Sequence, residues 1–462
     1  MTNKNVMPPT IAAISTPFGT GGLGVIRISG ADAVAVADRV FRAADKKTLA
    51  SAATHTIHYG HITDADGTVI DEVMAAVMLA PKTFTAEDVV EISTHGSTVA
   101  IRRVLERILA SGAALAMPGE FTRRAFLNGR IDLSQAEAVI DIINANSDSA
   151  LSAAVSQLEG TLSHEIEAIR KPLLYILAQF AALVDYPDED IADLSEDSLG
   201  SAIDTAIMQC AALMQTAHSG RMVREGVRCA ILGKPNTGKS SLLNKLARAD
   251  RAIVTDIAGT TRDAIEEFVS LGGIPLRLTD TAGIRNTADA VEQIGVAKST
   301  EYAQNSDIAF VMLDGSAPYD EKDMRVLELT EHTKRIILIN KSDMPQMLDT
   351  AVLPVLPQDT LLRICAKSGD GLDTLQSAVA DICDIANITP GSVALSNIRH
   401  IEAVRQAHNT LCEARQTLDA GMPMDMCAID ISAAVGKLGE ITGIEVAADI
   451  IDTVFAEFCV GK

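Results

Sequence analysis

From Ile11 to about Asn128, short apolar runs at Gly24 to Ile28, Val73 to Leu79 and Val89 to Ile92 alternate with turn residues and one helical stretch near Val99 to Leu109. Runs of that length bounded by turns predict a small α/β domain. From Leu133 to about Gln215 the strand signal vanishes. Apolar residues recur there at helical spacing, first Ala136, Val139, Ile140 and Ile143, then Leu173, Ile176, Leu177 and Phe180, which predicts a helical segment. Between Arg228 and Cys383 the pattern becomes β-α alternation. Apolar strands are expected at Cys229 to Leu232, Pro275 to Leu278, Ile308 to Leu313, Arg335 to Ile339 and Leu361 to Ile364, the signature of a doubly wound sheet. After Asn387 helical spacing returns at Ala434, Val435, Leu438 and Ile441, in a stretch too short to bury much alone. It is expected to pack on the earlier helices, leaving the β-α segment inserted between two halves of one helical domain. The resulting boundaries are 1–128, 129–220, 221–384 and 385–462, a multidomain α/β plus all-α architecture.

Composition changes this picture only at its edges. A chain of 462 residues exceeds what one core usually serves, so two to four domains are expected. With 47% hydrophobic and 22% charged residues it can bury real cores. The longest apolar run, Leu173 to Val184, is closed by Lys171 and Asp185, far short of the roughly 20 residues of a bilayer span, and reads as a core helix with no membrane partner. Met1 to Thr10 carries no targeting pattern, so the expected compartment is the cytoplasm. Seven cysteines from Cys210 to Cys459 include no CxxC pair, which argues for reduced thiols rather than a disulfide framework or structural zinc. The net charge of −22 means that any nucleic-acid partner would need a local basic patch.

The chemistry is concentrated in the β-α segment. Gly233-x4-Gly238-Lys239-Ser240 follows an apolar strand and precedes the helix-like Ser241 to Leu246, the context a phosphate-binding loop requires. Glycines let successive N–H groups of residues such as Asn236, Thr237 and Ser241 curve around phosphates. Lys239 reaches the β/γ oxygens, and the Ser240 hydroxyl can ligate Mg²⁺. A chance glycine-rich turn is the bland alternative. Asp280-Thr281-Ala282-Gly283 closes a second strand, where the carboxylate can hold the Mg²⁺ shell and the Gly283 N–H can sense a γ-phosphate. Asn340-Lys341-Ser-Asp343 follows a later strand. The N1–H and N2–H₂ groups of guanine present two parallel donors to the Asp343 carboxylate, an edge adenine lacks. Asn340 can meet the N7/O6 side, and Ala366, in the loop Cys365 to Lys367, can offer its N–H to O6. Against these stands Asp343 as an ordinary surface turn, but four elements in this order point to GTP.

Two features concern hydrolysis. Many small GTPases place a water-orienting Gln directly after the Asp-Thr-Ala-Gly sequence, whereas this chain has Ile284, which has no polar atom to offer. Glu292 is the candidate, with an exposed helix-face carboxylate as the alternative. The loop Thr255 to Asp263 lies where switch I belongs, and Thr261 is the favoured Mg²⁺ ligand with Thr260 beside it. Arg262 has two readings, an arginine finger or a salt bridge to Asp263.

With these residues in place the chain resembles the MnmE (TrmE) family of tRNA-modifying GTPases over essentially its full length. The marks are GKPNTGKS, TDIAGTTRD, DTAGIR, Glu292, NKSD and the terminal Phe458-Cys-Val-Gly-Lys462. The resemblance implies an N-terminal tetrahydrofolate-binding domain, a split helical domain and an inserted Ras-like P-loop GTPase domain. It implies a homodimer joined through the N-terminal domains, with potassium held by Asn236, Thr255, Ile257 and Thr260 when the GTPase domains associate. It assigns Glu292 as the water-orienting glutamate. It places Arg27, Glu91, Arg130 and Lys462 at a site for a tetrahydrofolate derivative, in 5-formyl or methylene form. Arg130 stands where the family has Lys, which keeps the charge and changes the contact geometry. Cys459 is implied as a thiol near that site with a catalytic role, against its reading as a packed hydrophobe beside Phe458.

The function expected from all this is K⁺-stimulated GTP hydrolysis. With the flavoprotein MnmG (GidA) in a heterotetramer, it would serve addition of an aminomethyl-type group to C5 of the wobble uridine of certain tRNAs, the tRNA contact lying on this chain or on the partner. The rival reading is a regulatory or ribosome-assembly GTPase with no folate chemistry.

Overall fold

A computed structural model describes residues 8–185, 196–249, 267–278, 306–383, 394–444, 446–456 and 458–462. Thr255, Ile257, Thr260, Thr261, Arg262, Asp280, Thr281, Ala282, Gly283 and Glu292 therefore lie outside the described residues. The chain forms two compact units, Met1–Ile140 with Thr442–Lys462, and Asp141–Ile441.

The first unit contains a seven-stranded sheet. Its elements are β1 (Ile11–Ile14), β2 (Leu23–Ser29), α1 (Ala33–Val40), β3 (Phe41–Ala43), β4 (Thr56–Thr63), β5 (Val69–Met78), β6 (Val89–His95), α2 (Thr98–Leu109), β7 (Ala114–Leu115) and α3 (Glu120–Leu127). The strand order is β3-β4-β5-β6-β2-β1-β7. Side chains alternate across the strands. Ile26, Ile28, Val90 and Ile92 thus bury themselves with Val36 of α1 and Val104 and Ile108 of α2, and the intervening Arg27 and Glu91 are left on the opposite face. Register pairs Arg27 with Glu91 across β2 and β6. Sequence periodicity misses β4 because it carries His58, Tyr59 and His61, and its Ile57 is exposed.

The second unit joins helices to a six-stranded α/β fold. α4 (Leu133–Asn144), whose residues up to Ile140 belong to the first unit, leads into α5 (Asp148–Leu158), α6 (Thr161–Asp185), α7 (Glu196–Gln215) and α8 (Ala217–Glu225). Then come β8 (Val227–Leu232), α9 (Lys239–Ala249), β9 (Glu267–Leu271), β10 (Ile274–Leu278), β11 (Ile308–Asp314), α10 (Glu321–Leu329), β12 (Arg335–Asn340), β13 (Thr360–Arg363) and α11 (Leu372–Ile382). The six strands run in the order β13-β12-β11-β8-β10-β9, all pairs parallel except β9 with β10. The five expected strands are present. The added one, β9, is an edge strand joined to β10 by the two-residue turn Gly272-Gly273, both glycines at positive φ, the backbone a tight hairpin demands.

The returning helices divide differently from the 385–462 segment expected as one half-domain. α12 (Ile398–Asp419) and α13 (Met424–Thr442) pack Leu411, Ala414, Ile431 and Leu438 with Ile166 and Leu173 of α6 and Ile203 of α7, as the spacing predicts. α14 (Ala448–Ala456) and the terminal residues join the first unit instead. Phe455 and Phe458 bury themselves against Ala125, Leu133 and Ala136, and the ring of Phe455 lies 6.2 Å from Phe126 and 5.5 Å from Phe458. Gly443 makes the turn at φ +85, where a Cβ would come 2.7 Å from the Phe126 ring. The aromatic pair supplies the burial that pulls this segment away from the helical core.

Candidate functional site

β8 lies between β10 and β11 and is buried at every residue but Arg228, so its carboxyl end is held in place by the sheet on both sides. This is the position at which open α/β sheets present ligand loops. Gly233 follows at once, and a Cβ there would lie 2.5 Å from the Met312 carbonyl of β11. Gly238 sits at φ +101, with the Asn340 amide 2.1 Å from where a Cβ would be. Asn236 occupies the left-handed region at φ +64, a conformation Asn tolerates better than most residues. α9 then begins at Lys239, so the loop delivers backbone N–H groups at a helix N-terminus, where the dipole favours phosphate.

Lys239 Nζ donates to the carbonyls of Gly233 at 2.6 Å and Lys234 at 2.8 Å. Burial lowers its pKa, and phosphate oxygens would compensate that desolvation. Ser240 and Ser241 are exposed on the first turn of α9, while Thr237 is buried and donates its hydroxyl to the Lys234 carbonyl at 3.0 Å.

The base-side loops are tied to this loop through Asn340. Its Nδ2 donates to the Thr237 carbonyl at 2.7 Å, and its Oδ1 accepts from the Ala366 N–H at 2.9 Å. Asn340, expected at the N7/O6 edge of guanine, is 4% exposed and clips three loops together, accepting from the Ala366 N–H that was expected to meet O6. Lys341, at φ +64, pairs with Asp314 at the end of β11. Burial alone would raise the Asp314 pKa, but hydrogen bonds from Lys341 and Ser316 outweigh it and hold the carboxylate below its usual range. Asp343 lies exposed beyond this pair, open to a base edge.

The second cluster lies in the first unit. Arg27 Nε donates to Glu91 Oε1 at 2.8 Å, and its guanidinium lies 4.9 Å from the Phe84 ring centre and 5.6 Å from that of Phe121. The Arg27 Nη1 atom is buried without a hydrogen-bond partner, a donor that an anionic or carbonyl group of a ligand would satisfy. Arg130 stacks on Phe84 at 5.2 Å and donates to the Phe84 carbonyl at 2.9 Å.

Lys462 joins this group because the tail is seated residue by residue. Gly461 lies at φ +96, where a Cβ would meet the Ile14 carbonyl at 2.1 Å. Ser15 Oγ donates to the Gly461 carbonyl at 3.0 Å, and the Phe121 N–H donates to the Lys462 carbonyl at 3.3 Å. Burial, and then the like charge of Arg27, push the Lys462 pKa down, while Glu91 pulls it up. Cys459 is exposed while Phe458 is buried, so the packed-hydrophobe reading of Cys459 gives way. Periodicity and motifs had missed Phe84 and Phe121, the rings beside Arg27, because Phe84 is an isolated aromatic in a connection and Phe121, at the start of α3, reads as an ordinary buried helix residue.

A Ras-like doubly wound sheet with a phosphate loop at its switch point defines a P-loop nucleotide-binding protein. The family described as "MnmE helical domain" matches residues 133–459, and "GTP-binding protein TrmE N-terminus" matches residues 10–130. The tRNA modification GTPase MnmE of Lacticaseibacillus paracasei is 46% identical over 457 residues, covering 98% of each chain. Its namesake in Geobacillus thermodenitrificans is 47% identical over 460 residues, 98% of this chain and 99% of that one. The chain belongs to the MnmE family of tRNA modification GTPases. Among the described residues no helix is long and apolar enough to cross a membrane.

Proposed function

We propose that this protein binds and hydrolyses GTP with Mg²⁺ and K⁺ and takes part, as a homodimer with the flavoprotein MnmG, in modification of C5 of the wobble uridine in tRNA. The observation that carries the folate part is the buried, unpartnered Arg27 Nη1 between two aromatic rings, beside Glu91 and Lys462. The residues fit a reduced folate. Phe84 and Phe121 offer apolar walls, Glu91 can accept from the guanine-like donor edge of a pterin, and Arg27, Arg130 and Lys462 can meet carboxylates of a glutamyl tail. When bound, the folate would supply a one-carbon unit; this chain's side chains bind and orient it, and exposed Cys459 stands on the same tail. A regulatory GTPase without small-molecule chemistry would have no use for that donor set.

For the nucleotide, Lys239 and the loop N–H groups would hold phosphates, Ser240 with Thr261 would hold Mg²⁺, and Asn236 with Thr255, Ile257 and Thr260 would hold K⁺, which would supply the positive charge an arginine finger otherwise provides. Glu292 orients the attacking water, since Ile284 cannot. Glu292→Ala should leave GTP affinity intact and lower turnover by about 10²-fold; retained turnover would remove the assignment. Folate binding is tested by titrating the full chain with 5-formyltetrahydrofolate. Saturable binding abolished in Arg27→Ala supports the reading, and no binding by the unmodified protein leaves the regulatory GTPase.

A further inference from the structure

Lys234, the second residue of the phosphate loop, is a hub between that loop and α10. Its Nζ lies 2.9 Å from Asp320 Oδ2 and 2.7 Å from Asp323 Oδ2, and its side chain is only 14% exposed. Both carboxylates are already committed to the start of α10. Asp320 is the N-cap, accepting from the Lys322 and Asp323 N–H groups, and Asp323 accepts in return from the Asp320 N–H. This reciprocal capping box fixes both side chains before Lys234 arrives. Asp323 is 1% exposed, and its Oδ1 has no hydrogen-bond partner, so the ammonium is the charge that makes its burial tolerable. Burial lowers the Lys234 pKa, but hydrogen bonds to Asp323 and Asp320 outweigh it and the net direction is upward, which keeps the clamp charged.

At its other end the same residue carries the functional lysine. The Lys234 carbonyl accepts from Lys239 Nζ and from the Thr237 hydroxyl. The loop is thus clipped twice, at Thr237 by Asn340 from the base side and at Lys234 by α10. We propose that Lys234 is a positioning residue of the nucleotide site: anchored on the capping box of α10, it holds the carbonyls that aim the Lys239 ammonium at the phosphates. Without the ammonium the loop loses this anchor, and two carboxylates are left uncompensated beside a site that must accept a polyanion. Both effects act on nucleotide binding rather than on the transferred phosphoryl group. The inference rests on the GTPase reading and deepens it.

The test uses the full chain with Mg²⁺ and a fluorescent GDP analogue, together with steady-state GTP hydrolysis. Lys234→Met should raise the GDP dissociation rate and the KM for GTP by about 10- to 100-fold while kcat stays within about threefold. Lys234→Arg, which can donate to both carboxylates, should restore values to within about threefold of the unmodified protein. Nucleotide kinetics unchanged by Lys234→Met would overturn the proposal. So would a fall in kcat at unchanged affinity, which would put Lys234 on the reaction itself. If Lys234→Met fails to fold, Asp320→Asn decides: its carboxylate is 48% exposed, so the neutral amide is tolerated. GDP release should then quicken by about threefold or more, and an unchanged rate would refute the clamp. Failure of the unmodified protein to bind GDP would instead sink the nucleotide-site reading and is distinguishable at the first titration.

Discussion

The nucleotide site and the candidate folate site are built in opposite ways from the same chain. The first is a set of contiguous loops, each at the carboxyl end of a parallel strand: Gly233 to Ser240 after β8, Asn340 to Asp343 after β12 and Ala366 after β13. The second gathers Arg27 from β2, Glu91 from β6, Phe84 from the connection between β5 and β6, Phe121 from α3, and Lys462 from the far end of the sequence. A strand end fixes a loop locally, so the nucleotide site tolerates distant change. Lys462 reaches the candidate folate cluster only through the terminal segment, which is seated by Phe455 and Phe458. The difference predicts that the two sites fail separately and for different reasons.

The largest expected effect is in the nucleotide site. Lys239→Ala removes an ammonium that otherwise bonds two loop carbonyls and would meet phosphates, and GTP affinity should fall by about 10²- to 10³-fold with folate binding unchanged. Equilibrium titration of both ligands checks this, and a parallel loss of folate affinity would break the separation. Asp343→Asn comes next. It should weaken GTP by about 10²-fold and admit xanthosine nucleotides, whose C2 carbonyl suits an amide donor; competition by ATP equal to that by GTP in the unmodified chain would end the guanine assignment.

In the folate cluster the effects are smaller and depend on the tail. Phe458→Ala opens a cavity beside Phe455 and should cost about 3 kcal/mol in the first unit. Folate affinity should fall by about tenfold or more as Lys462 loses its seat, while GDP binding holds. The smallest effect is a pH dependence. Burial and Arg27 depress the pKa of Lys462, whereas a ligand carboxylate would raise it, so binding takes up a proton once pH exceeds the free-state value. Folate affinity should therefore be flat below that value and decline as pH rises through it toward the ordinary lysine range. Calorimetry in two buffers of different ionisation enthalpy measures the uptake, and Lys462→Met should abolish it.

The same contrast explains what was legible in the sequence. The loop glycines, Lys239 and Asp343 are read directly because the chemistry requires those types at fixed spacing, and five of the six strands around them are apolar runs. Asn340 was placed at the correct loop, but its hydrogen bonds to Thr237 and Ala366 could not be read from spacing, since contacts between loops distant in sequence are set by tertiary geometry. Edge strand β9 escaped because Phe268, Val269 and Leu271, broken by Ser270, make too short an apolar run to stand out, although Gly272-Gly273 was the available signal. Periodicity could not show that α14 leaves the helical core, because Phe455 and Phe458 would suit either core; Phe126 decides it. Arg27, Glu91 and Lys462 became a set through family resemblance, and the structure brings them together while supplying the aromatic walls that no motif had marked.

The central claim is that GTP chemistry on this chain serves tRNA modification. The most direct test is nucleoside analysis of tRNA from a strain lacking the gene, complemented with the unmodified chain or with Lys239→Ala. The account predicts loss of a C5-modified wobble uridine in the deletion, recovery with the unmodified chain and no recovery with Lys239→Ala. Wobble uridines unchanged by the deletion, or fully restored by Lys239→Ala, would contradict it.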